Sequence, residues 1–196
     1  HAAAMPVNFL TTKSIPLHGF VRGLNAFIGN DVAVLNAEEV PLDWNARAAS
    51  RAKTYGFHYQ IGHTRLPLQT GRAWYVKRTT LDVERMREAS QLLVGEHDFS
   101  AFRASGCTSK TTWRRMYDLS IDETRPGELI SLHITGNAFL RHMVRIIAGT
   151  LFEVGVGRKT VHDVAAALRS RERPLAGVTA GPEGLTLLKV HFEGYP

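Results

Sequence analysis

Arg141 and Arg145 stand one helical turn apart at the head of a run, Met143 to Val154, that is apolar almost throughout. A helix apolar on nearly all sides belongs in a protein interior. A guanidinium there needs a partner, because an unpaired buried charge is strongly destabilising. Arg145 is therefore a fixed positive charge placed where it can meet an anionic group. Tyr55 is a second candidate, following Arg47, Arg51 and Lys53 in a basic segment that also holds Trp44. An aromatic ring beside cations can stack on a nucleobase; taken alone, Tyr55 and Leu185 read more simply as core packing.

Other chemistries are excluded by spacing. The nine histidines include no pair at the i, i+4 spacing of H-E-x-x-H, and the single cysteine, Cys107, cannot form a cysteine cluster, so no metal is expected. There is no G-x-S-x-G elbow, no P-loop and no G-x-G-x-x-G. Phosphate contact would have to come from Arg and Lys side chains or helix N-termini. The 196 residues carry a formal net charge of +6, which favours a polyanionic partner, nucleic acid first. Basic residues gather in three segments: Arg47, Arg51 and Lys53; Arg103, Lys110, Arg114 and Arg115; and Arg158, Lys159, Arg169, Arg171 and Arg173. Trp44, Tyr55, Phe99, Phe102 and Trp113 interleave with the first two. The pattern suits RNA binding and equally a solvated basic surface over core aromatics. No run reaches the roughly 18–20 apolar residues of a membrane span. One cysteine suits a reducing cytoplasm, where the protein is expected.

The elements that must position these residues follow from period and punctuation. Alternation predicts strands at Ala4–Leu10, Val32–Asn36, Thr54–Ile61, Trp74–Lys77, Trp113–Ile121, Leu129–Thr135 and Leu185–Phe192. Arg125-Pro126-Gly127 is the turn of a hairpin. Ser14 is expected to cap a helix with the apolar face Leu17, Phe20, Val21, Leu24, Phe27 and Ile28; Asp82 caps another ending at Gly95. Thr160-x-x-Asp163 opens a third in the manner of a capping box, and the Met143 helix closes at Gly155. Glu96–Arg103 reads as irregular, with Asp98 a local turn brace, and Ala104–Thr112 as a mobile polar loop. The expectation is an α+β fold, mainly an antiparallel sheet with helices on one side.

Three blocks occur in order: Gly95-Glu96-His97-Asp98-Phe99-Ser100-Ala101-Phe102-Arg103, Asn137-Ala138-Phe139-Leu140-Arg141-His142-Met143-Val144-Arg145, and Gly184-Leu185-Thr186-Leu187-Leu188-Lys189-Val190. With them the chain resembles the TruA family of tRNA pseudouridine synthases. The resemblance implies isomerisation of uridine to pseudouridine in the tRNA anticodon stem-loop, with no metal or organic cofactor. It implies a homodimer and two ferredoxin-like halves sharing one sheet: residues 1–61 as the remainder of an incomplete N-terminal catalytic half, and 62–196 as the C-terminal half. It makes Tyr55 the tyrosine that stacks on the flipped base and Arg145 the arginine that pairs with the nucleophilic aspartate. Leu185 matches an apolar residue of the uracil pocket. Trp44 and Arg47 match one RNA-contacting loop, and Lys110 matches a second.

The family's aspartate stands in a G-R-T-D-x-G-V-H-A motif. His1-Ala2 matches the end of it, and none of Asp31, Asp43, Asp82, Asp98, Asp118, Asp122 or Asp163 has an R-T-D context. The expectation is a chain that is part of a longer one, inactive by itself because the nucleophile lies upstream of His1. The alternative is a catalytically dead RNA-binding paralogue.

Overall fold

The computed structural model describes residues 1–77 and 80–195. By packing, the chain divides into two units, Pro6–Ala49 and the remainder, His1–Met5 with Ser50–Pro196. The division expected at 1–61 and 62–196, placed on the linker-like segment 62–73, concerns the halves of the fold and not these packing units.

The larger unit is built on a mixed, mainly antiparallel six-stranded sheet. Its strands are β1 (Ala52–Ile61), β2 (Trp74–Val76), β3 (Gly95–Asp98), β4 (Trp113–Arg125), β5 (Leu129–Gly136) and β6 (Leu185–His191). Strands β3, β4, β5 and β1 are neighbours in that order, all antiparallel. The far edge of β1 is shared: residues 52–57 pair antiparallel with β6, and residues 59–61 pair parallel with β2. His1–Ala3 runs along β6, with Ala3 N donating to Leu187 O and Leu187 N to His1 O.

Alternation along β1 sorts its side chains by chemistry. Phe57, Tyr59 and Ile61 are buried in one core with Ile130, Leu132 and Ile134 of β5 and Leu119 and Ile121 of β4. Thr54 and His58 instead meet polar partners. Thr54 Oγ1 lies 2.8 Å from both Thr135 Oγ1 and His191 Nε2, and His58 Nδ1 lies 2.9 Å from Ser131 Oγ. Two of the histidines are thus occupied in cross-strand hydrogen bonds. Burial, and then the charge of His133, lowers the His58 pKa.

Three helices belong to this unit: α2 (Val83–Gln91), α3 (Met143–Gly155) and α4 (Val161–Ser170). Asp82 caps α2 by accepting from Arg85 N, and the Thr160–Asp163 capping box of α4 is complete. Helix α3 is buried at eleven of its thirteen positions, and Tyr59 donates its phenol hydrogen to Ala148 O at 2.9 Å.

The smaller unit holds α1 (Leu17–Phe27), the fourth helix. Three expectations fail here. Ala4–Leu10 and Val32–Asn36 form no strand, because alternation without a partner strand leaves main-chain groups unpaired. Ser14 does not cap α1: the helix begins directly after Pro16, with no side-chain cap. No residue of α1 is buried, and Phe27 is 92% exposed. In the larger unit, the segment read as irregular contains β3, followed by a 3₁₀ turn over Ser100–Phe102. The turn brace is present: Asp98 Oδ1 accepts from Ser100 N and Oγ at 3.0 and 2.6 Å, and Arg171 Nε lies 3.3 Å from Oδ2.

Candidate active site

Strand β1 positions Tyr55 between Ile134 of β5 and Leu187 of β6. Its half-buried ring meets Phe139 edge-on, with centroids 5.0 Å apart. Burial raises the phenol pKa, so Tyr55 holds its proton at neutral pH. Leu185 opens β6 and pairs with Phe57, two residues along β1 from Tyr55. Gly184, just before it, lies so close to β1 that a Cβ would come within 2.6 Å of His58 O and 2.9 Å of the Phe57 ring. Only glycine allows that approach, which fixes where β6 begins and where Leu185 sits.

Arg145 lies in the first turn of α3 and is half-buried. Its partner is a main-chain carbonyl: Nε donates to Ala180 O at 2.7 Å, and Ala180 N donates back to Arg145 O at 3.1 Å. No carboxylate lies within ion-pair distance of Arg145 among the described residues. Arg145 and Arg141 together lower the pKa of His142, after burial.

The segment that receives Arg145 is pressed flat on α3. A Cβ on Gly149 would lie 1.9 Å from Val178 O, and one on Gly177 would lie 2.6 Å from Thr150 Cα. Gly177 N donates to Thr150 Oγ1 at 2.8 Å. These contacts close a connected path. Tyr55 touches Phe139, which lies six residues before Arg145; Arg145 holds Ala180; Ala180 leads in five residues to Leu185; and Leu185 pairs beside Tyr55.

The other expected residues are Lys110, Trp44 and Arg47. Lys110 is exposed on the Ala104–Thr112 loop. Trp44 and Arg47 belong to the smaller unit. There Asn45 Oδ1 accepts from Arg47 N and Ala48 N at 3.0 Å each, and Asn8 Oδ1 accepts from Ala46 N at 3.0 Å. Among the described residues no group of three or more His, Cys, Asp and Glu is arranged to hold a metal ion. Sequence reading missed Ala180 and Phe139 as positioning groups. Gly149 inside a buried helix was the available signal, since an interior glycine weakens a helix unless something must approach it.

Residues 89–193 match a family described as tRNA pseudouridine synthase. Over 192 residues the chain is 44% identical to tRNA pseudouridine synthase A of Geotalea uraniireducens, covering 98% of this chain and 78% of the relative. It is 45% identical over 193 residues to the same-named protein of Geobacter sp. strain M21, covering 98% and 77%. Against that of Myxococcus xanthus it is 43% identical over 196 residues, covering 100% and 73%.

The chain belongs to the TruA family of tRNA pseudouridine synthases. The family match spans β3, β4, β5, α3 and β6, and so includes Arg145 and Leu185. Tyr55 lies outside it, within the wider alignment to the TruA relative that covers the whole chain. No helix among the described residues of this TruA-family chain is long and apolar enough to cross a membrane.

Proposed function

We propose that the protein is a tRNA pseudouridine synthase that isomerises uridine to pseudouridine in the anticodon stem-loop, acting as a homodimer in the cytoplasm. In this reading its sheet belongs to a fold of two ferredoxin-like halves, the first incomplete in these residues. The observation that carries the proposal is the path from Tyr55 through Phe139, Arg145 and Ala180 to Leu185, in a chain 44% identical to a tRNA pseudouridine synthase A. Tyr55 stacks on the extruded uracil, and Leu185 supplies an apolar wall of its pocket. Among the described residues the Arg145 guanidinium makes one hydrogen bond, from Nε to Ala180 O. Its Nη groups can donate to a carboxylate in a forked, charge-assisted contact. An arginine within a few Å lowers a carboxylate pKa and keeps it ionised as a nucleophile. We further propose that this carboxylate comes from outside the 196 residues, since no aspartate here has the R-T-D context. Trp44, Arg47 and Lys110 contact the RNA.

The test is pseudouridine formation in tRNA. Full-length enzyme is expected to modify the anticodon stem-loop, and Arg145→Ala to slow it by about a hundredfold or more, as for other preorganised catalytic donors. Undiminished turnover in Arg145→Ala would remove Arg145 from the mechanism. The 196 residues alone are expected to form none. A full-length protein that binds tRNA without modifying it would favour the RNA-binding paralogue.

A further inference from the structure

Two of the basic segments, far apart in sequence, meet in the fold. Arg103 follows the 3₁₀ turn that ends at Phe102, Arg171 ends α4, and Arg173 opens the next 3₁₀ turn. All three line one open cavity of about 380 Å³, with Ser100, Ser105 and Cys107 between them. Among the described residues no carboxylate lines it. Asp98 reaches Arg171 alone of the three. Arg173 is held by neutral groups, Nη1 donating to Gly177 O at 2.8 Å and Nη2 to Thr179 Oγ1 at 3.1 Å. Arg103 makes no ion pair among the described residues. Three arginine residues thus line one space, and among the described residues a single carboxylate, Asp98, pairs with one of them.

The walls are held in place before any ligand arrives. Arg141 Nη1 lies 3.3 Å from Ser105 O and 3.4 Å from Gly106 O, bracing the rim. Gly106 has φ +70°, in the left-handed region that favours glycine, and Arg141 Nη1 lies 2.8 Å from where a Cβ would be. Arg171 adopts the left-handed region at φ 63°, a strained position for a side-chain-bearing residue, and its bond to Asp98 fixes its direction. Cys107 lines the same wall. Main-chain hydrogen bonds from Arg141 and Ser109, the Ser109 side chain and the charge of Arg103 together lower its thiol pKa to about 7, against a small effect of burial.

We propose that this pocket grips one phosphate of the RNA backbone. Arg103 and Arg171 contact its oxygens, and Arg173 supplies further charge. None of Tyr55, Arg145 and Leu185 lines it, and its assignment rests on the tRNA reading above. Arginine is suited to the task because its planar fork matches phosphate oxygens.

The test measures tRNA affinity against salt concentration for wild type, Arg103→Gln and Arg103→Lys. Arg103→Gln should weaken binding about three- to tenfold at low salt and reduce the magnitude of the salt slope by about one, with Arg103→Lys restoring most of the slope. Cys107, the single cysteine, gives a second readout. Its alkylation by iodoacetamide should be half-maximal near pH 7 and slow when tRNA is bound. If Arg103→Gln does not fold, protection of wild-type Cys107 by tRNA still decides. Wild type that binds tRNA with Cys107 unprotected, or Arg103→Gln with an unchanged slope, overturns the pocket and leaves the tRNA reading standing. Wild type that fails to bind tRNA overturns both. Inorganic phosphate protecting Cys107 as well as tRNA does, with no slope change in Arg103→Gln, would mark a small-anion site and overturn the backbone assignment.

Discussion

Helices α1 and α3 are both written with apolar periodicity, and only one of them is interior. Helix α3 lies in the core of the larger unit, buried at eleven of thirteen positions. Helix α1 has an equally plain apolar face in Leu17, Phe20, Val21, Leu24 and Phe27, yet none of its residues is buried. The difference is not in the helices but in what is available to each. Helix α3 has α2, the Ala176–Ala180 segment and the inward face of β1 to pack against. The Pro6–Ala49 unit contains one helix and no strand, too little chain to enclose a core. Amphipathic periodicity states which face a helix would bury; burial itself needs a second layer.

The comparison breaks most sharply at glycine. Gly149 in α3 has Val178 O where its Cβ would be, and Gly23 in α1 has nothing within 4 Å. Gly149→Ala must push the 176–180 segment off α3 or bend the helix. It is expected to cost about 3 kcal/mol or more, at the upper end of overpacking effects. Gly23→Ala removes only the entropy penalty of an interior helical glycine and is expected to stabilise by about 0.5–1 kcal/mol. Equilibrium denaturation of the two variants gives opposite signs if the two helices differ as described. Like signs would remove the distinction. Gly149→Ala should also displace Ala180 from Arg145 and so, on the proposed function, reduce pseudouridine formation.

A smaller effect separates leucines. Leu151 is fully buried in α3, whereas Leu24 in α1 is 41% exposed. Leu151→Ala is expected to cost about 2–5 kcal/mol, and Leu24→Ala about 1 kcal/mol or less. Urea denaturation monitored by far-ultraviolet circular dichroism distinguishes them. A large loss at Leu24 would mean that α1 is covered in solution.

The same contrast explains what was legible in the sequence. Strands β1, β4 and β5 were readable because period-two alternation was matched by partners, and the Arg125-Pro126-Gly127 turn set the hairpin. Helices α2 and α4 were readable because Asp82 and Thr160 do bond the main chain of their first turns. The identical alternation at 4–10 and 32–36 misled, since nothing in those residues states whether a neighbouring strand exists. Strand β3 was missed for the converse reason. Glu96, His97 and Asp98 carry no alternation, and the strand exists because Gly95–Asp98 lies against Met116–Trp113. Of the candidate site, Arg145 was visible as a charge in an apolar helix, and Tyr55 and Leu185 through family resemblance. The partner of Arg145 was not visible, because a main-chain carbonyl such as that of Ala180 has no residue-type signature. Only Gly149 and Gly177, which permit the close approach, left a trace.

The smallest expected effect concerns how the helices start. Helix α4 has a reciprocal cap: Thr160 Oγ1 accepts from Asp163 N, and Asp163 Oδ2 accepts from Thr160 N at 2.7 Å. Helix α1 has none. Thr160→Ala is therefore expected to cost about 1 kcal/mol at neutral pH, and Ser14→Ala nothing beyond about 0.3 kcal/mol. Acid sharpens the comparison. The main-chain hydrogen bond from Thr160, then its hydroxyl, hold the Asp163 carboxyl below its ordinary pKa, helped by Lys159 and His162 against slight burial. A carboxylate with a depressed folded pKa contributes stability that is complete above its ordinary pKa and is lost as pH falls through the folded value. Protonating Asp163 weakens Oδ2 as the acceptor for Thr160 N and for the Thr160 hydroxyl, at 2.7 and 2.9 Å, so part of what the threonine contributes is already lost before the mutation is made. The cost of Thr160→Ala should therefore shrink on passing from neutral pH to below the ordinary carboxylate range. A cost independent of pH would mean that the threonine acts without its aspartate, while Ser14→Ala should remain silent at every pH.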